Sequence, residues 1–307
     1  MKILVTGGAG FIASHVVDGF LDQGHSVVIV DNLCMGRMEN VNPKAKFFLM
    51  DIRANELRKI FQQERFDVVC HHAAQMDVRL SVEDPMYDAN VNVLGTLNIL
   101  QNCVRFVVPT FIFASTGGAV YGNQQIFPCA ENHPTNPLSP YGITKLTTEK
   151  YLFYYEHVFG LKYVILRYSN VYGPRQNPKG EAGVVAIFTE KILSDDQPII
   201  NGDGKQTRDY VSVIDVVRAN LKAIVFEESD IFNIGTGIET DVNKIFKIIN
   251  EKTGNKAKEK HGPAQKGEQR RSVISYKKAE EVLGWKPVVN LEEGLEKTID
   301  SFREKNK

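Results

Sequence analysis

Short, nearly unbroken apolar runs recur through the first half of the chain. They are KILVT (2–6), SVVIV (26–30), KFFLM (46–50), DVVCH (67–71), TFIFA (110–114) and KYVILRY (162–168). They are rich in β-branched and aromatic residues and show little polar alternation, the pattern of strands covered on both faces. Between them, apolar residues return every three or four positions over 10–23, 54–64, 86–105 and 140–159, which predicts helices. Strand–helix–strand repetition requires right-handed crossovers, so the expected fold is α/β, a doubly wound parallel sheet. In such a sheet ligands sit beyond the carboxyl ends of the strands.

After Gly173 the rhythm changes. GPRQNPKGEAG (173–183) is a Pro/Gly-rich connector, and helical patterns follow at 183–193, 215–226, 241–253, 277–283 and 291–304. DIFNIG (230–235) fits one more strand of the main sheet. The division this predicts is a nucleotide-binding domain of 1–173 plus about 210–235. A smaller, mostly helical C-terminal substrate domain would take about 174–209 plus 236–307.

Bulk properties narrow the class. Lys+Arg and Asp+Glu each number 37 in the 307 residues, so the net charge is zero. That argues against a broad electrostatic grip on nucleic acid or an anionic membrane. The basic residues between Lys256 and Arg271 are interspersed with acids and read as a solvated face. The opening MKILVTGG is too short an apolar run for a signal peptide, and no stretch reaches the length of a membrane span. Cys34, Cys70, Cys103 and Cys129 are scattered without a C-x-x-C, which predicts a reduced, cytoplasmic protein. His71 and His72 are adjacent on a strand and point to opposite faces, so they cannot chelate one ion, and no metal is expected.

Residues 3–32, ILVTGGAGFIASHVVDGFLDQGHSVVIVDN, form a strand–turn–helix–strand unit of the Rossmann-like kind. Gly7 and Gly10 fall where the first strand turns into a helix. There a diphosphate can sit on the helix N-terminus, held by free N–H groups and the positive end of the dipole. Gly7 allows a tight turn, and Gly10 lets the backbone approach the phosphates. The third small position is Ala13, whose methyl crowds the packing only slightly. The second strand ends in Asp31, spaced for a carboxylate to take the adenosine ribose hydroxyls. An acid there repels a 2′-phosphate, so NAD is expected rather than NADP.

The fifth strand ends in FASTGGAVYG (113–122), where two hydroxyls, Ser115 and Thr116, precede two glycines. LSPYGITK (138–145) reads as a helix start, with Ser139 able to cap and Pro140 suited to the first turn. Tyr141 and Lys145 are four apart and hence neighbours on one helical face. A cation there favours phenolate and lowers the tyrosine's pKa toward working pH. With eleven tyrosines in the chain, one such spacing is expected by chance. What singles this pair out is its place between the hydroxyl-bearing fifth strand and the sixth. The alternative is an ordinary tyrosine at a helix start. HHAAQMDV (71–78) ends the fourth strand in small residues, as needed where a ribose or nicotinamide lies against backbone. Asp51, ending the third, either accepts from an adenine amine or caps the helix starting near Asn55.

These residues carry a resemblance to the extended short-chain dehydrogenase/reductase family, the NAD-dependent epimerases and dehydratases. Within it the chain is most similar to the UDP-glucose (UDP-galactose) 4-epimerases. The matching segments are TGGAGFIA, DNL, DI (51–52), HHAAQ, NVLGT (92–96), ASTGGAVYG, PYGITK, LRYSNVYGPRQ (166–176), GDGKQTRDYV (202–211) and LGWKP (283–287). They run in order through nearly the whole chain. The resemblance implies a recycled NAD and 4-epimerisation of a nucleotide sugar through a transient 4-keto sugar. It implies that Tyr141 is the base, Lys145 its tuner and ribose anchor, and Thr116 the hydroxyl on the reacting O4. It further implies that Phe11, Ile12, Asp31, Asn32, Asp51, Ile52, Ala73, Ala74, Gln75, Asn92 and Tyr168 line the cofactor. Asn170, Val184 and Arg208 would meet the UDP-sugar, with Arg208 on the diphosphate. A homodimer is implied as well, built on the apolar faces of the helices at 86–105 and 140–159.

The chain departs from the family pattern in three places. Ala13 replaces the third glycine. The hydroxyl loop is one residue longer before VYG, so counting from the strand selects Thr116 and counting back from Tyr121 selects Gly117. Thr116 has the required hydroxyl, with Ser115 as the second choice. Gln265 stands where many relatives have an arginine, which leaves the diphosphate to Arg208 and Arg271. Ser272 aligns with a tyrosine of some relatives and would leave room for an N-acetyl group. Dehydratases carry Asp-Glu after the threonine, whereas Gly117 and Gly118 follow here, so water elimination is disfavoured. Decarboxylases tend to carry a glutamate there, and a uronate epimerase needs a further cation that the sequence does not assign. A non-catalytic NAD-binding regulator usually lacks the tyrosine or lysine, and both are present.

Overall fold

The computed structural model describes residues 1–178, 183–264 and 269–305. β1 (Lys2–Thr6) leads through a glycine turn to α1 (Phe11–Asp22), followed by β2 (Ser26–Asp31), β3 (Lys46–Leu49), α2 (Leu57–Glu64) and β4 (Val68–His71). α3 (Val78–Glu83) and α4 (Pro85–Ala89) precede a π-helical segment, Asn90–Leu94, that continues as α5 (Gly95–Arg105). Then come β5 (Thr110–Thr116), α6 (Pro140–Phe159) and β6 (Lys162–Tyr168). The remainder is β7 (Asn170–Tyr172), α7 (Val184–Leu193), β8 (Ile200–Asn201), β9 (Thr207–Ser212), α8 (Val213–Ala223) and β10 (Asp230–Ile234). β11 (Glu239–Asp241), α9 (Val242–Lys252), β12 (His261–Gly262), β13 (Arg271–Ser272), α10 (Lys277–Leu283) and α11 (Leu291–Lys305) complete it.

Seven strands form one parallel sheet in the order β10-β6-β5-β4-β1-β2-β3. The order reverses between β1 and β4, which opens a crevice at the carboxyl ends of those strands. Alternate residues of β1 feed opposite layers. Ile3 and Val5 join Val16, Phe20 and Trp285 on one face, and Leu4 joins Phe61, Ile99, Phe111 and Leu152 on the other. Both layers are apolar, which is why these strands read as continuous hydrophobic runs. DIFNIG supplies the edge strand β10, as its pattern suggested.

A third cluster, with Phe188, Ile245, Phe246 and Leu295, joins α7, α9 and α11. Beside it lies a small sheet centred on β9. β11 and β13 pair with its first half and β7 with its second. The sequence showed few strands here because they are two to six residues long. Runs that short leave no readable period. The expected single helix over 86–105 is also interrupted, since α4 passes into the π segment before α5 begins.

Candidate active site

The turn after β1 is built for a close ligand. Gly7 has φ +73°, and a Cβ on it would stand 2.7 Å from the Ala73 nitrogen. A side chain is excluded by both conformation and space. Gly10 precedes α1 without a side-chain cap bond, so the first amides of α1 keep their donors for a ligand. Asp31, at the end of β2, accepts from the Ala9 amide (3.0 Å) and the Leu33 amide (2.7 Å). Burial pushes its carboxyl up, and those two hydrogen bonds oppose the shift. A Cβ on Gly36 would lie 2.9 Å from an Asp31 oxygen, so glycine there keeps the carboxylate approachable.

From this turn a cavity of about 500 Å³ runs along the strand ends to α6. Its wall includes Gly7, Gly10, Phe11, Ile12, Asp31, Asn32, Asp51, Ile52, Ala73, Ala74, Gln75, Ser115, Tyr141, Lys145 and Tyr168. A glycine turn, an uncapped helix N-terminus, an acid at the end of β2 and an elongated cavity together fit NAD. Asp51 has partners that sequence did not suggest. It accepts from both the backbone and guanidinium of Arg53 (2.8 Å) and from Asn32 Nδ2 (2.9 Å), and the Arg53 hydrogen bonds hold its carboxyl well below the usual range. It caps no helix, because α2 begins only at Leu57.

Asn92 does not line the cavity. Its side chain clasps the Gln75 backbone, accepting from the Gln75 amide and donating to its carbonyl, both at 2.8 Å. It therefore stands behind the expected cofactor wall and fixes it. A π turn in a helix often marks a site, and here it aims Asn92 at the strand-end loop. The paired histidines point apart as expected. His71 sits between the Thr6 and Thr96 hydroxyls, while His72 stacks on Tyr168 at 6.1 Å. Burial drives His72 down to about 3, so it stays neutral, and no group of three potential ligands among the described residues could hold a metal.

At the other end, Ser139 caps α6 by accepting from the Gly142 amide (3.2 Å), with Pro140 in the first turn. This sets Tyr141 and Lys145 on the cavity side. Lys145 Nζ is 5.9 Å from the centre of the Tyr141 ring and donates to the Ala114 carbonyl at 2.9 Å. Burial lowers its ammonium to about 8.

The two hydroxyls separate. Ser115 donates to Glu149 Oε1 at 2.5 Å, and Glu149 is gripped by Arg167 in a buried bidentate pair. Thr116 instead faces the glycines. A Cβ on Gly118 would lie 3.7 Å from Thr116 Oγ1 and 3.9 Å from Asn170 Oδ1. Gly117 packs against Ile274, where a Cβ would stand 2.6 Å from its methyl. No acid occupies the loop beside Thr116.

The candidate substrate residues lie outside the cavity wall, and the small sheet collects most of them. Asn170 is on β7, Arg208 on β9 and Ser272 directly across from Arg208 on β13. Val184 opens α7. Arg271 is engaged elsewhere. It forms a bidentate pair with Glu239 (2.8 and 2.9 Å) and stacks on Phe127 at 3.8 Å. Asp203 pairs with Arg270, and the Asp209 carboxylate accepts from Thr236, Gly237 and Ile274. Gln265 lies outside the described residues. Arg175, from the connector, was missed. It lines the cavity beside Ala13 and pairs with Asp18 of α1 at 2.8 Å. Its distance along the chain left no signal to find it.

Comparison with known proteins agrees with this geometry. Residues 3–235 match the NAD dependent epimerase/dehydratase family. A UDP-glucose 4-epimerase of Mycolicibacterium smegmatis is 42% identical over 312 residues, covering 100% of both chains. The crystal structure of a Thermotoga maritima UDP-glucose 4-epimerase with UDP-glucose is 50% identical, with a TM-score of 0.98 over 100% of both chains. A Thermus thermophilus UDP-glucose 4-epimerase in complex with NAD is 43% identical, with a TM-score of 0.94 over 99% of both. The chain belongs to the NAD-dependent epimerase/dehydratase family.

Proposed function

We propose that this protein is an NAD-dependent 4-epimerase that interconverts UDP-glucose and UDP-galactose. One observation carries the reading. Tyr141, Lys145 and the strand-end Ser115 stand together in the wall of a cavity that begins at the Gly7–Gly10 turn, and no acid adjoins Thr116 in the glycine loop that follows. In this reading Tyr141 removes the proton from the sugar O4 and later returns it. Lys145 keeps its ammonium beside the ring, which favours phenolate. Thr116 hydrogen-bonds O4, and Asn170 shares its space. Gly7, Gly10 and Asp31 would hold an NAD whose nicotinamide would supply a hydride acceptor and donor for the sugar C4. The glycine loop supplies no group to protonate a departing C6 hydroxyl, which disfavours elimination. Residues 174–209 and 236–307 would supply the sugar-nucleotide half, apart from α10 and Trp285, which pack on the main sheet, with Arg208 on the diphosphate.

The test is turnover of UDP-galactose to UDP-glucose without added NAD. If neither sugar is converted, the reading fails. Tyr141→Phe should abolish turnover while NAD stays bound, and an active variant would remove Tyr141 as the base. Ser272 is buried and small, which favours a second reading, that N-acetylated UDP-sugars also react. Comparing rates on the two sugar pairs decides this, and complete inertness of the N-acetyl pair refutes it. We further place the protein in the cytoplasm, a compartment consistent with its four free cysteines. No helix of the described residues is long and apolar enough to cross a membrane.

A further inference from the structure

A buried cation needs a counter-charge. Lys145 is 4% exposed. The groups packed around it come from four elements. β4 brings His71, and the loop after it His72, both lowered by burial and by the lysine's own charge. β5 brings the Phe113 ring, 4.8 Å from Nζ, and the Ala114 carbonyl. α6 itself brings Tyr141 and Glu149, with Arg167 of β6 behind Glu149. α4 brings Asp88. The carboxylates of Asp88 and Glu149 both favour the charged lysine, and Asp88 acts the more strongly.

The two acids differ in what else they serve. Glu149 is bound on both oxygens by Arg167, at 3.0 and 2.5 Å, so that pair is neutral within itself. Asp88 is wholly buried, and its hydrogen bonds all come from neutral groups. Gln75 Nε2 (2.9 Å) and Asn92 Nδ2 (3.0 Å) donate to Oδ1, and the Thr144 hydroxyl (2.8 Å) donates to Oδ2. Among the described residues no ion pair claims Asp88. A fully buried carboxylate without a cation is strongly unfavourable, and the donor on its Oδ2, Thr144, immediately precedes Lys145 on α6.

We propose that Asp88 is a positioning residue, the counter-charge that keeps Lys145 an ammonium beside Tyr141. It acts through the lysine and touches neither sugar nor cofactor. The proposal rests on the reading of Tyr141 and Lys145 given above. Its sign is fixed: removing a negative charge beside a buried ammonium makes the proton easier to lose. Lys145 then discharges at lower pH, and the alkaline fall of kcat moves with it.

The experiment uses the NAD-loaded protein with isotope-labelled lysine, titrated by NMR, alongside pH profiles of kcat. Asp88→Asn should lower the Lys145 titration by about one pH unit or more, a tenfold weaker hold on the proton. The alkaline limb of kcat should shift by the same amount. Thr144→Val breaks one of the same hydrogen bonds but keeps the charge, so it should lower kcat without moving either titration. Asp88→Ser carries the same expectation as Asp88→Asn should the asparagine variant not fold. An unmoved Lys145 titration in the uncharged variants overturns the proposal, as does an equal shift in Thr144→Val. An active Tyr141→Phe would instead overturn the reading of the base, leaving the lysine titration to stand by itself.

Discussion

Ser115 and Thr116 are adjacent hydroxyls with different partners. Ser115 is spent on the Glu149–Arg167 pair, whereas Thr116 looks out over Gly118. Thr116→Val is therefore expected to lower kcat by roughly 10²–10³, the range for losing one positioned hydrogen bond to a reacting oxygen. Ser115→Ala should instead cost about 1–3 kcal/mol of stability, because it strips a donor from a buried carboxylate. Steady-state rates and urea unfolding separate the two, and the reverse result would make Ser115 the catalytic hydroxyl. Lys145 predicts opposite pH trends for activity and stability. Its folded pKa, about 8, lies below the ordinary lysine value of 10.5. Between those values the unfolded chain binds more protons, so this group's contribution to stability rises with pH. Over the same window the ammonium beside Tyr141 is lost and kcat falls. Both slopes can be measured against Lys145→Met, in which neither should remain.

At the scale of elements, the glycine turn separates folding from binding. Gly7→Ala meets both a left-handed φ and the Ala73 backbone, so it should lower thermal stability and bound NAD together. Gly10 has φ −79° and would set its methyl only against the Gly7 carbonyl, at 3.1 Å. Gly10→Ala is expected to fold normally yet lose NAD on purification, read as cofactor content per chain beside the melting temperature. Helix α6 was legible to the residue, from Pro140 to Phe159, because its ends are written locally. Ser139 caps the start, and Gly160 closes it in a left-handed turn. The helix expected over 86–105 was not, because its break is a π turn over Asn90–Leu94, which the spacing of apolar residues does not announce. α3 left no signal in the sequence, since VRLSVE is only six residues of mixed polarity, capped by Asp77.

For the whole molecule, α6 leaves an apolar stripe uncovered. Ile143, Tyr151, Tyr154 and Val158 recur at helical spacing and are exposed, and Leu94, the last residue of the π segment before α5, is exposed as well. We read this face as the contact between two copies of the chain, through α5 and α6 of each. Tyr154→Glu combined with Val158→Glu should halve the mass seen by sedimentation. A wild-type protein that sediments as a monomer at micromolar concentration would remove the dimer.

The sequence by itself determined the parallel sheet, the glycine turn with Asp31, and the Tyr141–Lys145 pair. Each is a local pattern, in which the physics of burial, turn geometry or helical spacing acts between residues near in the chain. Tertiary structure decided the rest. It tied Asp51 to Arg53, moved Asn92 behind the cavity wall and spent Ser115 on Glu149. It brought Arg175 to α1, paired Arg271 with Glu239 and set Asp88 near Lys145. All but the first of these join residues far apart in the chain. Their partners are chosen by which polar group is left unsatisfied once the core has closed, and no periodicity along the chain records that choice.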